Sequence, residues 1–468
     1  MQLYLPPELV KKAVRLALPI AAAYLVVVSG VLVEYVIVGN ELGPTGIGAV
    51  GLAGTFSLVL ILSFHAVEIA VQAIASRRFG EGDFAAAGKV LNNGLLVSFG
   101  LGIPLTIFLY LLGSRVFSSS DSNAEIQRLA YQYFQWRLPN MPFFMAVLAM
   151  IGFCNAISKP RIPMAVYAVI LVLNGVLCYA LVGGRLGAPR LGIAGAGLAQ
   201  TISALTGFTL FFMLLRERAI RARYGTLRFR GQIDKKVLKG LMKLAWPVAV
   251  QQFFSNFGVY LFVLINAGVD DDGVSLSAST IARNVGYITY LPSLGFGLAA
   301  ATIVGQYLGA DKPREAKWGG FACWGLGAAY MVTAGLFFLL FRHQIVDLFL
   351  RNVGGGGAGE AAEALKLHPQ DVRDYAAKLL VIVASYQIFE SANTILGKAL
   401  QGAGATMFVM KATVAFQWLF FLPLAYTLAI PLGMGGFGAL LALAIQLSGV
   451  AALFFWKFQS GTWQGKKV

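Results

Sequence analysis

Between Leu16 and Gly39 the chain reads LALPIAAAYLVVVSGVLVEYVIVG. About 20 apolar residues in a helix cross a hydrocarbon core of ~30 Å, and this stretch is long enough to do so. It is interrupted by Pro19 and carries one carboxylate, Glu34. A charge inside such a segment is costly enough to mark a functional site by default. A counterpart appears halfway along the chain. Leu244 to Gly268, LAWPVAVQQFFSNFGVYLFVLINAG, opens with the same Leu-Ala-x-Pro and ends at a glycine, but has Val263 where the offset places Glu34. Two related halves, unequal in charge, point to a transporter with two lobes.

With 58% hydrophobic and 12% charged residues, 468 residues have too little polar surface to cover a soluble core. The hydropathy pattern gives an all-α polytopic membrane protein with twelve transmembrane helices, near 16–38, 51–76, 90–113, 138–157, 162–182, 192–215, 244–268, 281–304, 318–341, 378–397, 407–430 and 437–456. The net charge of +16 raises the question of nucleic acid, but 26 of the 37 Lys and Arg fall in the segments that share a side with the N-terminus. These include the ten between Arg216 and Lys243, and also Lys398 and Lys411. Most acids, including Asp270 to Asp272, fall on the other side. The charge therefore reads as topology and as attraction to membrane lipid, with no nucleic acid. Both termini are expected in the cytoplasm of a multi-pass cell-membrane protein of the bacterial inner-membrane kind, acting as a monomer. Cys154, Cys178 and Cys323 lie inside spans, which argues against a disulfide framework. The first span has no small-residue cleavage site after it and is expected to be retained.

The halves superpose with an offset near 229. VRLALPIAAA (Val14 to Ala23) matches MKLAWPVAVQ (Met242 to Gln251), and Phe79-Gly80-Glu81-Gly82-Asp83 matches Leu308-Gly309-Ala310-Asp311-Lys312. Six spans per half, each half starting from the same side, make parallel repeats. The expected organisation is two pseudo-symmetric six-helix lobes, 1–215 and 244–468, joined by a basic connector, 216–243. The segment 342–374, with Gly354 to Gly357, is expected to be a loop with a short helix near 360–367, either decoration or a substrate lid.

The paired Leu-Ala-x-Pro openings, Val33-Glu34-Tyr35-Val36-Ile37-Val38-Gly39, Val304-Gly305-Gln306-Tyr307-Leu308-Gly309-Ala310 and Leu400-Gln401-Gly402-Ala403-Gly404 together resemble the multidrug and toxic compound extrusion (MATE) family of antiporters. That family usually has an Asp-bearing VDTxxVG at the second motif and LRGxG at the last. The resemblance implies two six-helix lobes around a central cavity, with Na⁺ or H⁺ uptake driving export of amphiphilic, often cationic, small organic compounds. It also implies that Asn174 matches a fifth-span Asn, and that Tyr386 and Glu390 match a Tyr and Asp of the Na⁺-coupled branch. Cys178 stands where an Asp is common, and Ser255 where that branch often has Glu. No cofactor is implied beyond the coupling ion.

Three carboxylates lie within the spans: Glu34, Glu68 and Glu390. At 1.5 Å per residue, Glu34 is roughly 8 Å deep from the outer helix ends, and Asn174 and Gln200 roughly 12 Å. These residues and Thr201 form a candidate cation site, a carboxylate that takes a proton or accepts Na⁺ with amide and hydroxyl oxygens. The competing reading is an interfacial Glu leaning to outer water. Glu390, with Tyr386 one turn earlier, faces Gln251, Gln252, Ser255 and Asn256 of the seventh span in this scheme. It is either a second cation site and counter-charge for substrate, or a buried interhelical hydrogen bond. His65 and Glu68 share one helix face and either relay a proton or satisfy each other. Tyr35, Phe254 and Tyr287, with those residues, are candidates to line the substrate cavity. Pro19 and Pro247 are candidate hinges, or prolines tolerated near a helix start.

A lipid-linked oligosaccharide flippase of the same superfamily is the alternative transporter, although the cavity candidates here are acidic. A membrane-embedded enzyme finds no metal-ligand cluster, nucleophile motif or phosphate-cradling loop, and ATP-driven transport finds no GxxxxGK[ST].

Overall fold

The structure, a computed structural model, describes residues 6–118, 123–228, 233–269, 273–353 and 369–465. Residues 354–368, with the glycine run and the expected short helix, and Asp270 to Asp272 lie outside the described residues; the rest of the expected loop 342–374 is not loop, since 342–353 and 369–374 belong to the long helices on either side. The described residues are mostly helical, with no strand among them. The helices are α1 (Pro7–Gly80), α2 (Phe84–Ser118), α3 (Ala124–Arg137), α4 (Asn140–Ala156), α5 (Arg161–Gly183), α6 (Ile193–Leu215), α7 (Arg218–Tyr224) and α8 (Lys235–Ala267). There follow α9 (Val274–Gly309), α10 (Pro313–Val353), α11 (Pro369–Gly402), α12 (Thr406–Ala415), α13 (Leu422–Ala429) and α14 (Gly435–Ser460). A π turn over Phe416–Phe421 joins α12 to α13.

Ten of these segments, among the described residues, are long and apolar enough to cross a membrane, or eleven when the bent pair α3 and α4 is counted as one span. The expected spans 16–38 and 51–76 are both inside α1, which breaks at Gly43 (φ 65°, ψ −161°), a backbone state that favours glycine. The expected fourth span is shorter than drawn. Only Asn140–Ala156 is apolar, and it meets the polar α3 at 53°. Asn123 caps α3 by accepting a hydrogen bond from the Glu125 amide at 2.9 Å, and Arg137 sits in the last turn, where a cation suits the helix dipole.

The chain divides into two compact units. One holds residues 22–249 and 305–313, with a core of aromatic and aliphatic side chains that includes Leu91, Phe134, Leu148 and Phe153. The other holds 1–21, 250–304 and 314–467, with a core around Phe262, Leu379, Phe421 and Leu440. Large apolar side chains also stand exposed, such as Ile107, Phe108 and Leu111 on α2, and such a surface suits lipid tails.

Within the first unit the ends of α1 and α9 cross with no room for a side chain. A Cβ at Gly80 would collide with the backbone of Gln306, and one at Gly309 with the backbone of Arg77. Gly80 and Gly309, like Arg77 and Gln306, are one repeat offset apart, so the crossing is built from the two copies of one motif. Gln306 also donates to the Ala156 carbonyl at 2.7 Å and to Ser158 Oγ at 2.9 Å, which ties the end of α9 to the end of α4.

Candidate functional site

Glu34 is buried, 4% exposed, in the first part of α1. Its Oε1 accepts a hydrogen bond from the Tyr133 hydroxyl of α3 at 2.8 Å, and its Oε2 accepts one from Gln200 Nε2 of α6 at 2.5 Å. The Tyr133 hydroxyl in turn accepts from Arg137 Nη1 at 3.0 Å. One carboxylate therefore fastens α1 to α3 and α6, and the reading of Glu34 as leaning into outer water does not fit its burial. Asn174 is buried on α5, and its Nδ2 has no hydrogen-bond partner. Thr201 turns away from this group and donates to the Trp136 carbonyl at 2.6 Å. Adjacent residues on a helix point ~100° apart, so Gln200 and Thr201 cannot both face Glu34. Tyr35 points its hydroxyl towards the glycines at 51 and 54.

In the other unit a cavity of about 150 Å³ opens beside Glu390. Gln251, Gln252 and Ser255 of α8, Tyr290 of α9 and Thr394 of α11 share its wall with Glu390. Thr394 Oγ1 donates to Glu390 Oε1 at 2.9 Å. Gln251 is held from two sides: its Nε2 donates to Thr413 at 3.3 Å and its Oε1 accepts from Gln401 at 3.1 Å. Four other expected residues lie outside this wall. Phe254 packs edge-on to Trp418, Asn256 donates back to the Gln252 carbonyl, Tyr287 packs against the Tyr290 ring, and Tyr386 is buried in the core.

His65 Nδ1 and Glu68 Oε2 are 2.7 Å apart on one face of α1, with Glu68 buried. The two prolines occupy matching places. The chain passes from one unit to the other after Ala21, two residues after Pro19, and passes back after Ala249, two residues after Pro247.

The sequence profile of the MatE family matches this chain twice, over residues 19–180 and 247–427, and the two matches begin at Pro19 and Pro247. The chain belongs to the MatE family. Among curated relatives it is 30% identical to the multidrug resistance protein NorM of Burkholderia vietnamiensis, over 98% of this chain and 96% of that one. It is 25% identical to the probable multidrug resistance protein NorM of Bradyrhizobium diazoefficiens, over 98% and 94%. Its fold is similar to that of a MOP superfamily transporter from Pyrococcus furiosus described as having a binding pocket of reverse polarity (TM-score 0.87, 18% identity, 98% and 97% covered). An outward-facing MATE family multidrug resistance transporter gives the same TM-score of 0.87 at 17% identity, with 98% and 97% covered. This MatE chain is thus a multi-pass membrane protein of a transporter family.

Sequence reasoning missed three site residues. Tyr133 and Arg137 stand one turn apart on α3, a helix too polar to read as a span; their spacing beside an apolar run was the available signal. Lys398, expected among the loop charges, instead lines the Glu390 cavity from the body of α11. The expected span stopped at residue 397 because hydropathy falls there, whereas the helix continues to Gly402.

Proposed function

We propose that this MatE chain is a cation-coupled antiporter that exports amphiphilic, cationic organic compounds in exchange for inward Na⁺ or H⁺. The observation that carries the reading is Glu34, a carboxylate buried in a membrane-spanning helix and held by hydrogen-bond donors from two other helices. A proton or Na⁺ arriving at the carboxylate competes for the lone pairs that Tyr133 and Gln200 use. Their grip on α1 weakens, and α3 and α6 are free to repack; cation occupancy is thereby converted into a change of shape. The unpartnered Nδ2 of Asn174 leaves that side chain free to turn its oxygen to an incoming cation. The resemblance of the chain to proteins named for multidrug resistance supports the substrate class.

On this reading the halves 1–215 and 244–468 are the moving lobes, Pro19 and Pro247 are the flexing points, and both termini face the cytoplasm. Flexing at the prolines has a simple origin, since each removes one backbone hydrogen bond from its helix. The protein works as a monomer with no cofactor beyond the coupling ion.

The test is ethidium efflux from everted vesicles. Glu34→Gln is expected to abolish gradient-driven efflux at an unchanged expression level. Efflux by that variant at the wild-type rate would refute the assignment. Imposing a pH gradient without Na⁺, and then Na⁺ without a pH gradient, identifies the coupling ion.

A further inference from the structure

Residues 216–243 carry ten Lys and Arg against two acids, Glu217 and Asp234, and Asp234 is already paired with Lys89. A tether between two membrane helices needs no fixed shape, but this one is clamped. Asn92 of α2 is buried; it donates to the Gly225 and Arg228 carbonyls at 3.2 and 3.1 Å and accepts from the Leu227 amide at 2.7 Å. Asn93 accepts from the Asp234 amide, and Thr226 donates to the Leu215 carbonyl at 2.6 Å. The buried Tyr224 ring packs edge-on against Phe84 and Phe153. The connector therefore holds one course from the end of α6 to the start of α8.

The charges that this frame presents line up on α8. Lys235, Lys239 and Lys243 follow at four-residue spacing, and at 3.6 residues per turn Trp246 returns to the same arc, ~80° wide. All three lysines are exposed and make no ion pair among the described residues. Trp246 is 45% exposed, and Met242 beside it 39%. An exposed tryptophan at the end of a membrane span belongs at headgroup level. At 1.5 Å per residue the lysines stand ~5, ~11 and ~17 Å beyond it along the helix, and their flexible stems let the ammonium groups meet phosphates over that depth. The end of α6 repeats the order, with Met213 and Leu214 exposed and apolar and Arg216 exposed and basic.

We propose that the start of α8 is a docking platform for an anionic phospholipid, with the headgroup phosphate on Lys239 and Lys243 and an acyl chain against Met242 and Trp246. Charge in a loop is enough to orient a chain in a membrane and does not require a particular lipid. The clamped connector and the shared helix face do more, because they keep the lysines in line with an aromatic ring at a set depth. A zwitterionic headgroup brings its own ammonium to its phosphate, whereas an anionic one leaves net charge for the lysines. Each basic residue close to an anionic surface strengthens the attraction roughly fivefold. Binding requires only that α6 and α8 cross the bilayer, so it stands apart from the transport reading.

The experiment places the full-length protein in phosphatidylcholine nanodiscs doped with equal minor amounts of dibrominated phosphatidylglycerol or dibrominated phosphatidylcholine. Bromine on an acyl chain quenches a tryptophan that it touches, and the contribution of Trp246 is the difference between wild type and Trp246→Phe. The anionic bromolipid is expected to quench Trp246 about twofold more strongly than the zwitterionic one, or better. The joint replacement Lys235→Gln, Lys239→Gln and Lys243→Gln should remove the difference, and the same three changed to Arg should keep it. All three side chains are exposed, so either set leaves the fold intact. Equal quenching of the wild type by the two bromolipids overturns the proposal, as does a preference that persists in the Gln set. A preference that disappears when inorganic phosphate is added at constant ionic strength assigns the lysines to a soluble phosphate and overturns the lipid assignment. Ethidium efflux reports the transport reading separately, so its loss with the lipid preference intact would count against that reading alone.

Discussion

The Tyr133 hydroxyl lies 2.8 Å from Glu34 Oε1 and donates to it, while accepting from Arg137 at 3.0 Å. The phenol is thus the middle of a line in which a guanidinium on α3 polarises the group that holds the α1 carboxylate. The ring itself is fully buried, so Tyr133→Phe keeps the packing and deletes only the link. A hydrogen bond to a charged acceptor contributes ~1.5–3 kcal/mol, against ~0.6 kcal/mol for an average interhelical bond in a membrane. Tyr133→Phe is expected to lower stability by about 1–3 kcal/mol and to slow efflux less than Glu34→Gln does. A double-mutant cycle with Glu34→Gln should show a coupling of at least ~0.5 kcal/mol in thermal unfolding. Strict additivity would mean that the bond contributes nothing.

Gly80 makes a sharper structural prediction. Gly80→Ala places a methyl against the Gln306 backbone, which cannot turn aside as a flexible side chain can. The crossing of α1 and α9 must open, and the variant is expected to unfold at a markedly lower temperature or to fail to accumulate. Gly100→Ala on α2 is the control, because a Cβ there meets nothing within 4 Å. Removing a helical glycine at an open position gains up to ~1 kcal/mol. The two substitutions, identical in chemistry, should therefore move a thiol-reactive-dye unfolding midpoint in opposite directions.

These cases show which parts of the molecule the sequence carries openly. Apolar runs and the repeat are properties of contiguous residues, so the helices and the pairing of Gly80 with Gly309 can be read without coordinates. The Glu34 site is different, because Tyr133 is 99 residues away and Gln200 is 166 away. Counting depth along helices brings Gln200 to the level of Glu34 but does not give the face, which is why Thr201 was grouped with it. Tyr133 and Arg137 escape because α3 buries one face while its average composition is polar. Lys398 escapes because a lone cation beside an apolar run looks like a helix end.

Glu68 tests whether every buried carboxylate here is a transport group. Its Oε2 is taken by His65 Nδ1 at 2.7 Å, and the pair lies on a single helix, so nothing in it fastens two elements together as Glu34 does. Glu68→Gln keeps the shape and an acceptor for the imidazole N–H. Ethidium efflux is expected to stay above about half of wild type, with the measurable loss in thermal stability, on the order of 1 kcal/mol. Collapse of efflux to the level of Glu34→Gln, at normal stability, would make the pair a proton relay instead.

The start of α8 carries a pH dependence whose sign can be worked out. Asp234 Oδ1 accepts from the Lys236 amide at 2.8 Å, and its Oδ2 accepts from Lys89 Nζ of α2, also at 2.8 Å. Its own amide donates to Asn93 at 3.0 Å. The hydrogen bond from Lys89, followed by that from the Lys236 amide, holds the Asp234 carboxyl below its ordinary value. A depressed carboxylate contributes stability above its unfolded value, near pH 4, and loses it as pH falls through the lower, folded one. Hydrogen exchange over residues 217–240, corrected for intrinsic rates, is therefore expected to be flat from about pH 5 to 8 and to speed up below about pH 4. Asp234→Asn separates the two roles. Asparagine caps a helix about as well as aspartate does, so α8 still starts at the same residue, but the charge facing Lys89 is gone. Exchange in that variant should already be faster at pH 7 and show no further acid step. An acid step of unchanged size would place the titrating group elsewhere.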